Sequence, residues 1–242
     1  MDFFVNIFKD LLNYLNGFTK DYGWALILLG VVTKVIILPL YVKQTKIMHE
    51  MQVKMKSIQP YLLNLQKKYE KDPQLLMQKQ LNLYKTLGFN PLQGCFTSLL
   101  LSFIQIPILF AVFFAVKDEI QVLQNISFLW IKSLAKPDFF LFLLYVVSMY
   151  FSFKITPSTY NTPEEKKNAE TIQLIMLGMF AILFYGFPSA FILYWFSFNI
   201  IGIISGWLIY KLIKVEDVDK EKLRKLEEEE NKTDNLEKAA AK

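Results

Sequence analysis

Five near-continuous apolar blocks, at residues 24–42, 96–116, 138–155, 172–187 and 190–210, constrain this chain more than any other feature of it. Each approaches the roughly 20 residues that a helix needs to cross a hydrocarbon core of about 30 Å. The third and fourth blocks are short, and each taken alone would suit a buried helix of a water-soluble protein. Five of them in 242 residues do not suit one, and the chain is 53% hydrophobic with a mean hydropathy of +0.29. That composition leaves too little polar surface to cover a single soluble domain. The expected fold class is therefore all-α: a polytopic membrane protein with five transmembrane helices.

Lysine placement sets the expected orientation, because basic loops resist translocation and stay cytoplasmic. The 43–92 loop carries nine lysines against Glu50, Glu70 and Asp72. It is read as cytoplasmic, which puts the N-terminus, the 117–137 loop and the Gly186–Ser189 turn outside and the C-terminal tail inside. Residues 1–21 lack a basic start, a compact apolar segment and a small-residue cleavage site, so no ordinary signal peptide is visible. An outside N-terminus then requires that this segment is translocated as it stands, or that the chain is a core whose upstream signal or anchor has been removed.

Three regions follow. Residues 1–20 read as an amphipathic helix on the outer interface, with Phe4, Phe8, Leu11, Leu15 and Phe18 at spacings of three or four. Residues 21–215 form the membrane core, and within it residues 43–92 form a helical hairpin. In the hairpin's first arm Ile47, Met51, Met55, Ile58, Leu62, Leu65 and Tyr69 make a heptad-like seam, and Pro60 predicts a kink or a break. Asp72 caps the second arm, Pro73 begins it, and Gly88 followed by Pro91 stops it. Met48, Met51, Met55 and Met77 either pack the two arms together or offer an adaptable contact surface, since thioether chains repack readily. Residues 216–242 read as a charged, disordered tail. From Lys211 onward the tail holds nine basic and ten acidic residues, a balance that argues against direct nucleic-acid specificity.

One residue inside the blocks demands an explanation. Lys34 stands in VVTKVIILPL, near the middle of the first span, roughly 12–14 Å of helix from the boundary that Lys43 marks. A lysine stem covers about half that distance, so snorkelling is incomplete. A cation held there costs about 2.5–3.5 kcal/mol on insertion scales. No carboxylate lies within the spans except Asp138, the first residue of the third, so the compensation is expected from neutral polar groups, lipid phosphate or water.

The candidates are Thr33, Thr97, Ser98, Ser102, Gln105, Ser148, Ser152, Ser197, Asn199 and Ser205. Ser98, Ser102 and Gln105 share one helix face. Each alone suits a helix-to-helix hydrogen bond; together they suit a wet groove around Lys34. The single histidine, His49, and the single cysteine, Cys95, have no partners in a metal-ligand spacing, so no metal or cofactor is expected. No span carries the Ser–His or paired-Asp set that an intramembrane protease needs, so an enzyme is not expected. A transporter or channel with a hydrated charged cavity, and a passive assembly scaffold for membrane complexes, both remain open on the residues alone.

The stretches TKVIILPLYVKQTK, GFNPLQGCFTSLLLSFIQIPILFAVFFAV, FLWIKSLAKPD and GFPSAFILYWFSFNIIGIISGWLI, around a charged helical hairpin, resemble the YidC/Oxa/Alb family of membrane protein insertases over about residues 1–215. The resemblance implies a five-helix insertase and chaperone in a bacterial plasma (inner) membrane, with a polar groove open to the cytoplasm and to lipid. It implies nascent membrane proteins and the lipid bilayer as partners. It also admits the ribosome, the signal-recognition receptor and the Sec translocon, among which the residues do not choose. In the family the groove's positive residue is usually arginine; here that position is Lys34, which keeps the charge without the planar fork. Many bacterial relatives carry a further N-terminal span and an outside domain that these residues do not include.

Overall fold

The computed structural model describes residues 2–88, 90, 92–155 and 163–213, with 221, 224, 225, 228 and 232 of the tail. The expectations for Pro91, for the Cys95 side chain and for most of the 216–242 tail fall outside the described residues. Eight helices follow in order: α1 (Asp2–Thr19), α2 (Tyr22–Lys68), α3 (Pro73–Thr86), α4 (Leu92–Asp118), α5 (Ile120–Leu123), α6 (Phe139–Ile155), α7 (Pro163–Phe184) and α8 (Ser189–Leu212). Stretches of α2, α4, α7 and α8 are long and apolar enough to cross a membrane, and α6 is a shorter apolar helix of 17 residues. These are the five expected spans. Helix α2 continues through Pro39 and Pro60, and α4 through Pro107. Pro60 therefore does not divide the first hairpin arm, and within the spans Pro39 and Pro107 are tolerated where neighbouring groups satisfy the freed carbonyls.

The chain divides into two compact units. The first comprises Met1–Lys46, Thr97–Thr156 and Ala169–Ile213. Its core gathers Leu12 and Leu15 of α1, Leu26, Leu29 and Ile37 of α2, Val112 and Val116 of α4, Leu141 and Tyr145 of α6, and the run Ala190–Tyr194 of α8. Large apolar side chains on the other helix faces stay exposed, most clearly Ile175 and Ile182 on α7. An apolar exterior around an apolar core is what a lipid solvent permits and water does not.

Helix α1 keeps part of the expected face against the core, with Leu15 buried and Phe8 and Leu11 packed against it. The buried stripe is Val5, Leu12 and Leu15 with Phe8 half-buried, whereas Phe4 and Phe18 are exposed. The helix thus has two apolar sides, one against the core and one turned out. Lys9 of α1 pairs with Glu119 at 3.5 Å, fixing the helix beside the end of α4.

The loop between α5 and α6 closes one end of this unit. Phe128 and Ile131 exchange backbone hydrogen bonds at 2.9 and 2.8 Å, the Leu134 N–H donates to the Ile126 carbonyl, and the Ala190 and Ser189 N–H groups donate to the carbonyls of Leu134 and Lys136. Leu123, Phe128, Ile131 and Leu134 bury their side chains beneath that network. Gly23 makes room for the Phe128 ring, which sits where a Cβ on residue 23 would project. Asp138, the one carboxylate in the predicted spans, caps α6 by accepting from the Leu141 N–H at 2.8 Å and from Trp130 Nε1 at 3.2 Å. It is therefore committed at the helix end.

The second unit comprises Ile47–Phe96, Pro157–Asn168 and Lys214–Lys242. Met55, Ile58 and Leu62 pack against Leu83, with Tyr61, Tyr84 and Leu87 around them, so the hairpin has a small core of its own on the expected seam. The Asp72 carboxylate accepts from the Leu75 N–H at 3.0 Å, Pro73 is the first residue of α3, and Gly88 adopts the left-handed conformation at φ +67 just past its end. Asp72→Ala is expected to weaken the start of α3 by about 1 kcal/mol, seen as a roughly fivefold faster amide exchange at Leu75. Unchanged exchange there would mean that the cap does not hold the turn.

Candidate functional site

Helices α2 and α8 approach closely, and small residues make that possible. A Cβ on Gly30 would collide with Ser197 Oγ and stand 2.6 Å from the Tyr194 carbonyl oxygen. One turn further along α2, Lys34 is buried at 7% exposure and its stem runs toward Gly202 of α8. A Cβ at Gly202 would stand 3.1 Å from the Lys34 ammonium, so the glycine leaves the space that the charge occupies.

The neighbours of that ammonium are aromatic. Lys34 Nζ lies 3.8 Å from the centroid of the Tyr41 ring and 4.6 Å from that of Phe198, and no carboxylate pairs with it among the described residues. Two π faces attract a desolvated cation by about 2 kcal/mol or more each, comparable with the insertion cost of the charge. Tyr41 is held in place from α8, its hydroxyl donating to the Gly202 carbonyl at 3.2 Å. Among the described residues the neighbours of the ammonium are Tyr41, Phe198 and Gly202, and none of the polar candidates named above hydrogen-bonds to it.

A cavity of about 240 Å³ opens beside it between α4, α6 and α8, with Gln105, Tyr145, Ser152, Trp195, Phe198 and Asn199 in its wall. Phe198 belongs to both places, with its ring at the ammonium and its side chain in the cavity lining. Asn199 Nδ2 donates to Ser148 Oγ at 3.0 Å, which ties α8 to α6 at the cavity wall. Gln105 Nε2 and Trp195 Nε1 are buried donors with no partner among the described residues. Each such donor costs about 1–3 kcal/mol unless a polar occupant satisfies it. Both residues belong to the wall of the cavity.

The predicted polar residues therefore separate into two groups. Gln105, Ser152 and Asn199 share the cavity, and Ser148 supports Asn199. Thr33, Ser102, Ser197 and Ser205 instead donate to carbonyls three or four residues back on their own helices, at Leu29, Ser98, Tyr194 and Ile201. Ser98 accepts from Gln44 Nε2 at 3.2 Å, joining α4 to α2, while Ser102 is exposed. In the hairpin, Met55 is buried in the seam, Met48 and Met51 are half-buried, and Met77 is 59% exposed. Sequence reasoning missed Tyr41, Phe198 and Trp195. Only the first left a signal, standing seven residues from Lys34 and so on the same helix face.

A multi-pass all-α membrane protein whose spans enclose a cavity with a few polar side chains in a largely apolar wall, beside a buried cation without a carboxylate partner, is the class that these features define. Residues 14–217 match the 60Kd inner membrane protein family, and the chain belongs to that family. It is 35% identical over 206 residues to the Membrane protein insertase YidC of Helicobacter pylori strain J99, across 84% of this chain and 35% of that relative. It is 33% identical over 222 residues to the protein of the same name from Clostridium tetani, across 91% of this chain and 96% of the relative. The chain thus spans about a third of the first relative's length and nearly all of the second's. Among solved structures it resembles one titled "Active YidC insertase crystal structure with the first transmembrane domain resolved", at TM-score 0.60 and 28% identity, over 82% of this chain and 45% of that one.

Proposed function

We propose that this chain inserts nascent transmembrane segments from the cytoplasm into the lipid bilayer, acting as a non-enzymatic insertase and chaperone. The observation that carries the reading is the cavity that brings Gln105, Ser152 and Asn199 together among the spans, beside the buried Lys34 ammonium, which has no carboxylate partner among the described residues. A polar segment entering the bilayer needs temporary hydrogen-bond partners and a lowered dielectric barrier, and a cavity of this kind offers both. The positive charge draws an acidic flank without requiring a fixed complex. The apolar part of the segment then partitions sideways into lipid along the exposed apolar helix faces.

In this reading the lysine-rich hairpin is cytoplasmic, the N-terminus is outside and the C-terminus inside, following the distribution of lysine among the loops. The hairpin meets the incoming chain first, and it is the surface offered to the ribosome, the signal-recognition receptor or the Sec translocon. The names carried by the clostridial and Helicobacter relatives support the activity.

Photo-crosslinking tests the path. A photoreactive residue at 105 or 199 is expected to capture a stalled nascent membrane segment, and one at the exposed position 182 of α7 is expected to capture lipid instead. Capture of the segment at 182 but at neither 105 nor 199 would move the path out of the cavity.

A further inference from the structure

A second, smaller cavity of about 100 Å³ lies between α6 and α7, sharing Phe153 with the first, with Tyr150, Lys154, Glu170, Gln173, Leu174 and Leu177 in the rest of its wall. It holds one cation and one anion that do not pair. Neither Lys154 nor Glu170 forms a salt bridge with the other or with any described side chain, and Lys154 Nζ lies 5.7 Å from the centroid of the Tyr150 ring. Lys154 stands one residue before the end of α6, and Glu170 is half-buried near the start of the apolar part of α7. Both are therefore at a membrane boundary, where Phe151, Leu174 and Ile175 remain exposed for lipid contact.

Opposite charges that share a cleft without touching leave room for an occupant carrying both signs. The occupant must bring an anion to Lys154 and a cation to Glu170, and it must also present apolar chains to Leu174 and Leu177. We propose that this cleft binds the headgroup of a zwitterionic, primary-amine phospholipid. The phosphate takes the Lys154 ammonium and the Gln173 amide, and the headgroup amine donates to the Glu170 carboxylate. A wholly anionic headgroup would set like charge against Glu170. A quaternary choline cannot donate a hydrogen bond to it and is bulkier. The Tyr150 ring would add a π face at the same boundary, where aromatic residues commonly sit.

The proposal does not depend on insertion, and its test needs none. The full chain, purified in detergent, is mixed with phosphatidylethanolamine, phosphatidylglycerol and phosphatidylcholine of matched acyl chains, and retained lipid is counted by native mass spectrometry. Phosphatidylethanolamine is expected to be retained at least threefold over the other two. Retention is expected to fall stepwise as its amine is methylated once, twice and three times. Lys154→Gln and Glu170→Gln should each reduce the preference to that of phosphatidylcholine. Equal retention of all three lipids, a preference for phosphatidylglycerol, indifference to methylation, or an unaltered preference in Glu170→Gln would each overturn the assignment. The methylation series uses the unaltered chain, so it decides the question even where a variant folds poorly.

Discussion

Lys34→Ala is expected to lower insertion of segments with acidic translocated flanks by roughly tenfold, the ratio that about 1.4 kcal/mol of lost attraction gives. Segments with neutral flanks should be affected far less. Lys34→Arg should keep the activity, because a guanidinium also stacks on aromatic faces and Tyr41 and Phe198 supply two of them. Lys34→Met separates charge from volume. The lysine stem fills the α2–α8 crossing beside Gly202, so Ala leaves a void there, whereas Met fills it without charge. If charge is what matters, Met behaves like Ala on acidic flanks and like the unaltered chain on neutral ones. Equal insertion by all four proteins in reconstituted vesicles, on both kinds of substrate, would remove the charge from the mechanism.

The spans were legible because apolar runs of that length have few other uses, and the hairpin because its signals are local. Asp72, Pro73 and Gly88 each act within a turn of where they stand, and all three do what their chemistry implies. Helix α1 was less legible for a reason peculiar to membranes. Both of its sides are apolar, one for the core and one turned outward, so hydrophobic periodicity does not single out Val5 and Leu12 over Phe4 and Phe18.

The site was legible in part. Gln105, Ser152 and Asn199 could be named because polar residues in a span need a reason, and they do meet at one cavity. Thr33, Ser102, Ser197 and Ser205 carried the same signal with a different cause, since a hydroxyl in a helix satisfies itself on the preceding turn. The shell of Lys34 escaped because Tyr, Phe and Gly are ordinary in an apolar span. Their role arises only when α8 brings Phe198 and Gly202 against α2. Trp195 is hidden in the same way, its orphaned N–H visible only once its helix is packed.

That packing rests on Gly30, and Gly30→Val is expected to have a large structural effect in the first unit. Even a methyl group at this position would meet Ser197 Oγ and come within 2.6 Å of the Tyr194 carbonyl, which is backbone and cannot swing aside. The branched side chain adds to this, so α2 and α8 must separate. Overpacking of this order costs about 1–3 kcal/mol even where side chains yield, and here a helix backbone has to move. The displacement would also spread to Tyr41, whose hydroxyl reaches Gly202 across the same crossing, and so to the aromatic shell of Lys34. A melting temperature lowered by several degrees in detergent is expected. The opening should be visible as faster reaction of a cysteine placed at 198 with a hydrophilic thiol reagent. Gly30→Ala should show the same changes at smaller amplitude, and pairing it with Ser197→Gly should recover part of the loss by removing one of the two colliding groups. If Gly30→Val melts and reacts like the unaltered chain, the close crossing of α2 and α8 is wrong, and the aromatic shell around Lys34 has no frame to hold it.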